Sequence, residues 1–356
     1  MKKHNFYAGP AILPESVKRK ASESAMEYEG IGLSLMEISH RSTHFVDILD
    51  KTESNVRQLF GLNDDMAVLF LTGGASSQFY MSAMNLAAKE DTVAFLDTGT
   101  WSTKSIKEAK KLTNVEVVAS SGDQNYNYIP TSYSVPGHAR YFHMTSNNTI
   151  FGTQVRNWPE CHCPIVCDMS SDIFSRNIPV EKFGLIYAGA QKNVGPAGMT
   201  LVIVRKDLIG KSGRDLPTML NYQTHIDKKS SFNTPPVFPI YVTMLTLDWI
   251  LEKGGVDAME KRNTEKAKML YDEIDRNPLF VPTVNPQDQS YMNATFLLKN
   301  DKLNQVFLDL CDEAGIMGIK GHRSVGGFRA SIYNAMELDS IKVLTSVMKH
   351  MEQSHG

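Results

Sequence analysis

The chain has little of several features that mark other classes of protein. Only four of its 356 residues are cysteine, too few for a disulfide framework, and this predicts a reducing cytoplasm. No apolar run approaches the roughly 20 residues of a membrane-spanning helix, and the first residues lack the apolar region of a signal peptide. The 37 basic and 39 acidic residues leave a net charge of −2, which argues against a nucleic-acid or anionic-membrane binder.

Most of the chain alternates short apolar runs with amphipathic stretches, and no fixed repeat or low-complexity tract divides it. The apolar runs that predict strands are 67–71, 93–96, 115–118, 141–144, 165–167, 185–187 and 200–204. Helix-like stretches lie between them, for example 76–88 and 102–112, and another at 46–60 precedes the first run. Gly61 follows that stretch and is predicted to be its C-cap. Buried strands alternating with helices predict an α/β domain, a mainly parallel sheet covered on both faces, over residues 16–257.

The pattern changes after residue 257. A long charged helix is predicted over 257–276, a strand over 294–298, and helices over 303–314 and 338–351. These elements predict a smaller α+β domain at residues 258–356. We expect residues 1–15 to pack with it.

The sharpest chemical signal is a pair of residues that follow two predicted strands. Asp168 comes directly after an apolar run, and Lys192 follows the next run among small residues. Ligands of open parallel sheets bind beyond the carboxyl ends of the strands. A lysine there could lose hydration and act as a nucleophile, and an aspartate could pair with a protonated ring nitrogen of pyridoxal phosphate. Taken singly, each has an ordinary alternative, a turn residue or a solvated surface charge.

Two further segments could bind a ligand. Small residues at 72–77 lead from a strand into a helix, where free backbone amides favour a phosphate, although Ser76 could instead be an ordinary N-cap. Trp101 follows another strand and could either stack on a flat ring or cover the edge of the core.

Two segments share the tripeptide His-Arg-Ser. They are residues 39–42 and residues 321–329. Arginine matches carboxylate and phosphate groups bidentately, and glycines beside it permit close approach. The pair predicts an anion site, and scattered surface charge is the alternative for any single arginine.

The cysteines do not indicate a metal centre. Cys161, Cys163 and Cys167 with His162 match no structural zinc spacing, and Cys311 lies on the apolar side of a predicted helix. We therefore predict no metal site.

Taken together, these segments resemble the phosphoserine aminotransferases, class V members of the fold-type I pyridoxal-phosphate (PLP) enzymes. The resemblance lies in residues 5–14, 37–42, 73–79, 168–172, 187–193, 233–236 and 321–334. It implies the fold-type I PLP-transferase fold, with the α/β domain as the larger domain. Ala8, Ser76 and Ser82-Ala83 depart from some members without removing a catalytic group.

The resemblance assigns roles to particular residues. Lys192 would form the Schiff base with pyridoxal 5'-phosphate, and Asp168 would pair with its ring nitrogen. The remaining cofactor contacts would come from Ala75, Ser76, Trp101, Thr149 and Gln191, and from Asn233 and Thr234 of a neighbouring subunit. Arg41 would take the substrate carboxylate region, with His40, His322, Arg323 and Arg329 at the substrate phosphate. The site would therefore need a homodimer.

The reaction implied is reversible amino transfer from L-glutamate to 3-phosphooxypyruvate, giving O-phosphoserine in serine biosynthesis. A part in pyridoxine biosynthesis stays open. The alternatives are another class V enzyme, such as a serine:pyruvate-type aminotransferase or a cysteine desulfurase, and a PLP-binding protein without turnover. Cys311 on a helix does not resemble the mobile reactive cysteine of a desulfurase.

Overall fold

A computed structural model describes residues 2–356. Its helices are α1 (Glu15–Met26), α2 (Thr43–Phe60), α3 (Gly74–Leu86), α4 (Thr100–Ala109), α5 (Tyr222–Asp227), α6 (Val237–Glu252), α7 (Gly255–Arg276), α8 (Asn304–Glu313) and α9 (Leu338–His355). Its strands are β1 (His4–Asn5), β2 (Met66–Leu71), β3 (Thr92–Asp97), β4 (Asn114–Ser120), β5 (Phe142–Thr145), β6 (Ile165–Asp168), β7 (Phe183–Gly189), β8 (Thr200–Arg205), β9 (Phe280–Pro282), β10 (Asn293–Leu298), β11 (Ile316–Met317) and β12 (Phe328–Ser331).

The larger sheet contains all seven strands predicted from apolar runs. Its order is β2-β8-β7-β6-β5-β3-β4. Only β8 runs antiparallel to its neighbours, so the predicted mainly parallel sheet is confirmed. β2, β5, β6 and β7 are buried along their whole length, as expected of strands covered on both faces.

One predicted buried strand is different. β4 is one of the two edge strands, paired with β3 on one side only, and all of its residues are exposed or half-buried. Val117 keeps 40% of its surface exposed. β2, at the other edge, is buried along its whole length, and its Phe70 amide donates to Ser230 Oγ. An apolar run therefore indicated β4 correctly but not its burial, because burial depends on which segments cover the strand.

Helices cover both faces of this sheet. On one face α1, α2 and α6 pack against it through residues such as Val17, Ile48 and Leu247, and on the other α3 and α4 do so through Phe79 and Ile106. Each fully buried aliphatic or aromatic side chain contributes about 1.5–3 kcal/mol before entropy is counted. Helix α2 ends at Gly61 in the left-handed conformation (φ 62°), as its sequence predicted.

The later part of the chain forms a separate small sheet, β9-β10-β12, which is antiparallel. Its core includes side chains of α7, α8 and α9 and also Phe6. Strand β1 pairs with β11, which brings the first residues to this part of the molecule. Helix α7 is continuous across position 257, with Met259 in the first core and Ala267 in the second. The domain division at 257/258 stays a prediction.

Within residues 2–356 there is no helix that combines the length and the apolar composition needed to cross a bilayer.

Candidate active site

Two neighbouring parallel strands, β6 and β7, end at the same edge of the sheet and bring the predicted pair together. Asp168 is the last residue of β6 and is 5% exposed. Its Oδ1 accepts hydrogen bonds from the Ser170 amide (2.9 Å) and from Ser170 Oγ (2.6 Å). Ser170 Oγ also accepts from the Gly189 amide at 3.1 Å. One serine thus joins the ends of both strands and orients the carboxylate.

The carboxylate of Asp168 and the amine of Lys192 influence each other. Burial lowers the pKa of Lys192, the charge of Asp168 opposes this, and Arg329 lowers it further. Burial also raises the pKa of Asp168, and the charge of Lys192 opposes that change. A lysine with a lowered pKa supplies more neutral amine near pH 7, which a nucleophile requires.

Trp101 stands beside this pair and is linked to the small sheet. Lys192 Nζ lies 5.5 Å from the centroid of the Trp101 ring, and Trp101 Nε1 donates to Thr149 Oγ1 at 3.0 Å. Arg329 Nη1 donates to the Thr149 carbonyl at 3.0 Å. Trp101 also packs at the edge of the core, as one of the two interpretations made from the sequence has it, and its stacking on a flat ring stays a prediction. Thr149 therefore joins the aromatic ring to one of the predicted substrate arginines.

The N-terminus of α3 has the geometry expected of an anion site. Gly73 is its N-cap with φ 93°, and a Cβ there would lie 2.8 Å from Ser77 Oγ, so the turn requires glycine. Ser77 Oγ donates to the carbonyls of Gly74 and Thr72 and does not cap the helix. The first amides of a helix have no acceptor within it, so the backbone amides of Ala75 and Ser76 are available for an anion. Ser76 lies inside the helix, so its interpretation as an N-cap is wrong.

The start of the chain passes directly over Lys192. The Ala11 amide donates to the Gln191 carbonyl at 2.9 Å. A Cβ at Gly9 (φ 149°) would lie 3.4 Å from Lys192 Cγ, so any side chain there would press on the lysine. Tyr333 OH donates to the Ala8 carbonyl at 2.7 Å. These contacts hold residues 8–11 against Lys192. The sequence did not indicate them.

The second His-Arg-Ser segment lies beside the pocket. Burial lowers the pKa of Arg329, and its Nε is buried without a hydrogen-bond partner. The pKa of His322 is lowered by burial and then by the charges of Arg329, Arg323 and Lys104. The charges of Arg329, Arg323 and Lys104 thus reach the same imidazole, and that of Arg329 also reaches Lys192, which favours an anion in this region.

The other predicted residues lie apart from this pocket. Arg41, Asn233 and Thr234 are exposed, and His40 is half-buried. Within residues 2–356 no hydrogen bond, ion pair or ring contact joins any of these four to Lys192. A single chain thus assembles Asp168, Lys192, Trp101, Thr149, Gln191 and Arg329, with His322 and Arg323 beside them.

The residues of the pocket fit PLP. Within the described chain the hydrogen bonds to the carboxylate of Asp168 all go to Oδ1, so Oδ2 is free to meet a protonated ring nitrogen. Trp101 offers a flat face, and the amides at the start of α3 suit a phosphate. Three residues near the pocket were missed by the sequence analysis: Ser170, Tyr333 and Lys104. The available signals were weak, namely a serine two positions after Asp168 and a lysine three positions after Trp101.

Comparison with known proteins agrees with this geometry. The family model for class-V aminotransferases matches residues 3–344, and the chain belongs to that family. Its sequence is 54% identical over 353 residues to the phosphoserine aminotransferase of Flavobacterium psychrophilum, covering 99% of each chain. It is 52% identical over 357 residues to that of Parabacteroides distasonis, covering 100% of each.

Solved structures with the same fold include two phosphoserine aminotransferases. One is from Bacillus circulans subsp. alkalophilus, with a TM-score of 0.97, 42% identity, and coverage of 100% of this chain and 99% of that one. The other is the PLP-bound enzyme from Trichomonas vaginalis, with a TM-score of 0.93, 36% identity, and coverage of 98% and 100%. The predicted fold class and family resemblance are confirmed.

Proposed function

We propose that the chain is a PLP-dependent phosphoserine aminotransferase of serine biosynthesis. It transfers the amino group of L-glutamate to 3-phosphooxypyruvate, in a reversible two-stage reaction that yields O-phosphoserine and 2-oxoglutarate. The observation that carries the proposal is the juxtaposition of Lys192 and Asp168 with the basic group around Arg329. Likeness over the whole chain to relatives of that name supports it.

The pocket residues divide the chemistry among them. The protonated ring of PLP, when bound, withdraws electrons from the substrate Cα. Asp168 would hold the ring nitrogen protonated through its free Oδ2, and Ser170 fixes the carboxylate for that contact. Lys192 would hold the cofactor through Nζ in the resting enzyme, and once released the same amine would take the proton from the substrate Cα and give it up again on the other side of the substrate nitrogen. Its lowered pKa favours the neutral form that accepts the proton.

The basic residues explain how one pocket could serve two substrates. Both glutamate and phosphoserine carry an anionic group beyond the Cα carboxylate. Arg329 is held to the Thr149 carbonyl, and we assign it with His322 and Arg323 to the substrate anions. Arginine binds carboxylate and phosphate through the same planar fork.

We further propose a homodimer in the cytoplasm. Within residues 2–356 the side chains of Arg41 and Asn233 form no hydrogen bond or ion pair, and apolar side chains near them in the sequence are exposed: Met36 at 65% and Phe232 at 43%. Exposed apolar side chains in such segments are typical of an interface. A second copy would cover them and bring Arg41, His40, Asn233 and Thr234 to its pocket.

The alternatives differ in substrate or in turnover. A serine:pyruvate-type enzyme would not need the basic group around Arg329, and a protein that only binds PLP would not need it either. Cys311 is buried in the core of the small sheet, with its pKa raised by burial to about 12, so it is not a desulfurase nucleophile. A part in pyridoxine biosynthesis stays a prediction.

The absorbance of the purified protein with PLP tests the function. We expect a yellow band that O-phosphoserine bleaches and serine hardly changes, because only the first carries the phosphate. Bleaching by serine or alanine alone would move the substrate to another class V enzyme. A chain that takes up PLP and reacts with no amino acid would be a binder.

A further inference from the structure

We propose that Lys104 is a specificity-determining residue that binds the phosphate end of the substrate. This inference rests on the proposed function and deepens it. Neither the sequence analysis nor the resemblance assigns any role to this lysine.

The position of Lys104 on helix α4 places it beside Trp101. Lys104 is three residues after Trp101, so both side chains lie on one face of the helix. Lys104 Nζ lies 4.6 Å from the centroid of the Trp101 ring, within the range of a cation–π contact. Lys192 Nζ lies 5.5 Å from the same centroid. Both ammonium groups therefore lie near the same indole ring, and we infer that Lys104 stands at the rim of the pocket beside Trp101.

The opposite wall of that rim is also basic. The charge of Lys104 is felt at His322 together with those of Arg329 and Arg323. No carboxylate within residues 2–356 forms an ion pair with Lys104, whereas Lys111 at the end of the same helix is paired with Glu108 at 2.8 Å.

Unpaired cations placed together repel one another, and an anion between them removes that cost. A phosphate dianion gains more than a single carboxylate. The phosphorus of O-phosphoserine is three bonds from Cα, so a substrate held at Lys192 carries its phosphate toward this rim. Lys104 would therefore contribute to the choice of a phosphorylated substrate over an unphosphorylated one.

The test measures the half-reaction of the PLP-loaded enzyme with O-phosphoserine and, separately, with L-glutamate. We expect Lys104→Gln to raise KM for O-phosphoserine about tenfold, the usual effect of losing one charge-assisted hydrogen bond, and to raise KM for L-glutamate by only about two- to threefold, because its side-chain carboxylate carries less charge than a phosphate dianion. Lys104→Arg should restore most of the loss. Lys107→Gln, an exposed lysine on the same helix, is the matched control.

A second readout does not depend on turnover. Inorganic phosphate should bind the PLP-loaded enzyme in a calorimetric titration, and Lys104→Gln should raise its dissociation constant by a similar factor while Lys107→Gln leaves it unchanged. Thermal unfolding checks that each variant is folded. Lys104→Met, which keeps the apolar stem over Trp101, is the second neutral variant.

The outcomes separate this inference from the function on which it rests. Equal losses with both amino donors would show that Lys104 acts through Trp101 on the cofactor, and would overturn the inference. A Lys104→Gln enzyme that matches Lys107→Gln would overturn it as well. A wild-type enzyme indifferent to O-phosphoserine would overturn the proposed function itself.

Discussion

Two segments of this chain carry the same tripeptide, His-Arg-Ser, in different structural settings. In the first, Ser42 is the N-cap of α2 and accepts a hydrogen bond from the Phe45 amide at 3.4 Å, and Arg41 is exposed. In the second, Ser324 Oγ bonds to His322 Nδ1 at 2.7 Å in an exposed turn. Only the second segment lies beside the Lys192 of its own chain. The same tripeptide thus supplies a positive charge in both segments, and the fold determines which pocket each segment can reach.

The largest effect should come from replacing Lys192, because both His-Arg-Ser segments are proposed to act at a pocket that contains this lysine. Lys192→Ala should lower the rate of the half-reaction with O-phosphoserine by more than about a thousandfold, because it removes both the anchor and the proton carrier. The measurement is the bleaching of the cofactor band under single-turnover conditions. Lys206→Ala, remote from the pocket, is the control. A Lys192→Ala enzyme with the wild-type rate would contradict the proposed chemistry.

Mixing inactive subunits separates the two segments directly. Arg41→Ala and Arg329→Ala should each lower kcat/KM for O-phosphoserine by about a hundredfold, the effect of losing a charged partner of a bound anion. Lys192→Ala subunits should rescue Arg41→Ala to about a quarter of the wild-type activity, because half of the dimers are mixed and each has one intact site.

Arg329→Ala should not be rescued, because Arg329 and Lys192 must come from the same chain. Activity is measured after the subunits are unfolded and refolded together, with each variant refolded alone as the control. Rescue of both arginines, or of neither, would remove the proposed difference between the segments.

Replacing Ser42 should change the stability of the protein, whereas replacing Ser324 should change substrate binding. Ser42→Ala should lower the free energy of unfolding by about 0.5–1 kcal/mol, because α2 loses its N-cap. Ser324→Ala should change it by less than about 0.5 kcal/mol, since the residue is exposed. It should instead raise KM for O-phosphoserine about threefold by releasing His322. Denaturant unfolding and steady-state kinetics measure these effects, and the reverse assignment would refute the comparison.

The smallest effect is in the titration of His322. Burial and the charges of Arg329, Arg323 and Lys104 hold its pKa below the ordinary 6.5. Because the folded chain binds this proton less tightly than the unfolded chain, His322 lowers the free energy of unfolding as the pH falls below 6.5.

NMR of labelled histidine rings should show this lowered pKa, with His322→Gln identifying the signal. Added inorganic phosphate should raise the pKa, since an anion favours the protonated ring. A pKa at or above 6.5 without phosphate would contradict the basic environment.

Much of the fold was predictable because it depends on local patterns. All seven strands of the larger sheet were predicted from short apolar runs, and Gly61 from its place after an amphipathic helix. The adjacency of Asp168 and Lys192 followed from a general rule about the ends of parallel strands. The exposure of β4 was not predictable, because an apolar run does not show which segments cover a strand: β2, at the other edge of the same sheet, is buried.

The sequence by itself determined which chemical groups the chain carries and at which strand ends they occur. It could do so because the periodicity of strands and helices, and the order in which strands and loops follow one another, are short-range properties. Tertiary structure alone decided that Arg329 meets the Thr149 carbonyl from 180 positions away, that Gly9 lies against Lys192, and that the charge of Lys104 reaches His322. Such contacts depend on how distant parts of the chain pack together. No pattern within one segment encodes that packing, so one His-Arg-Ser segment lies beside the pocket of its own chain and the other does not.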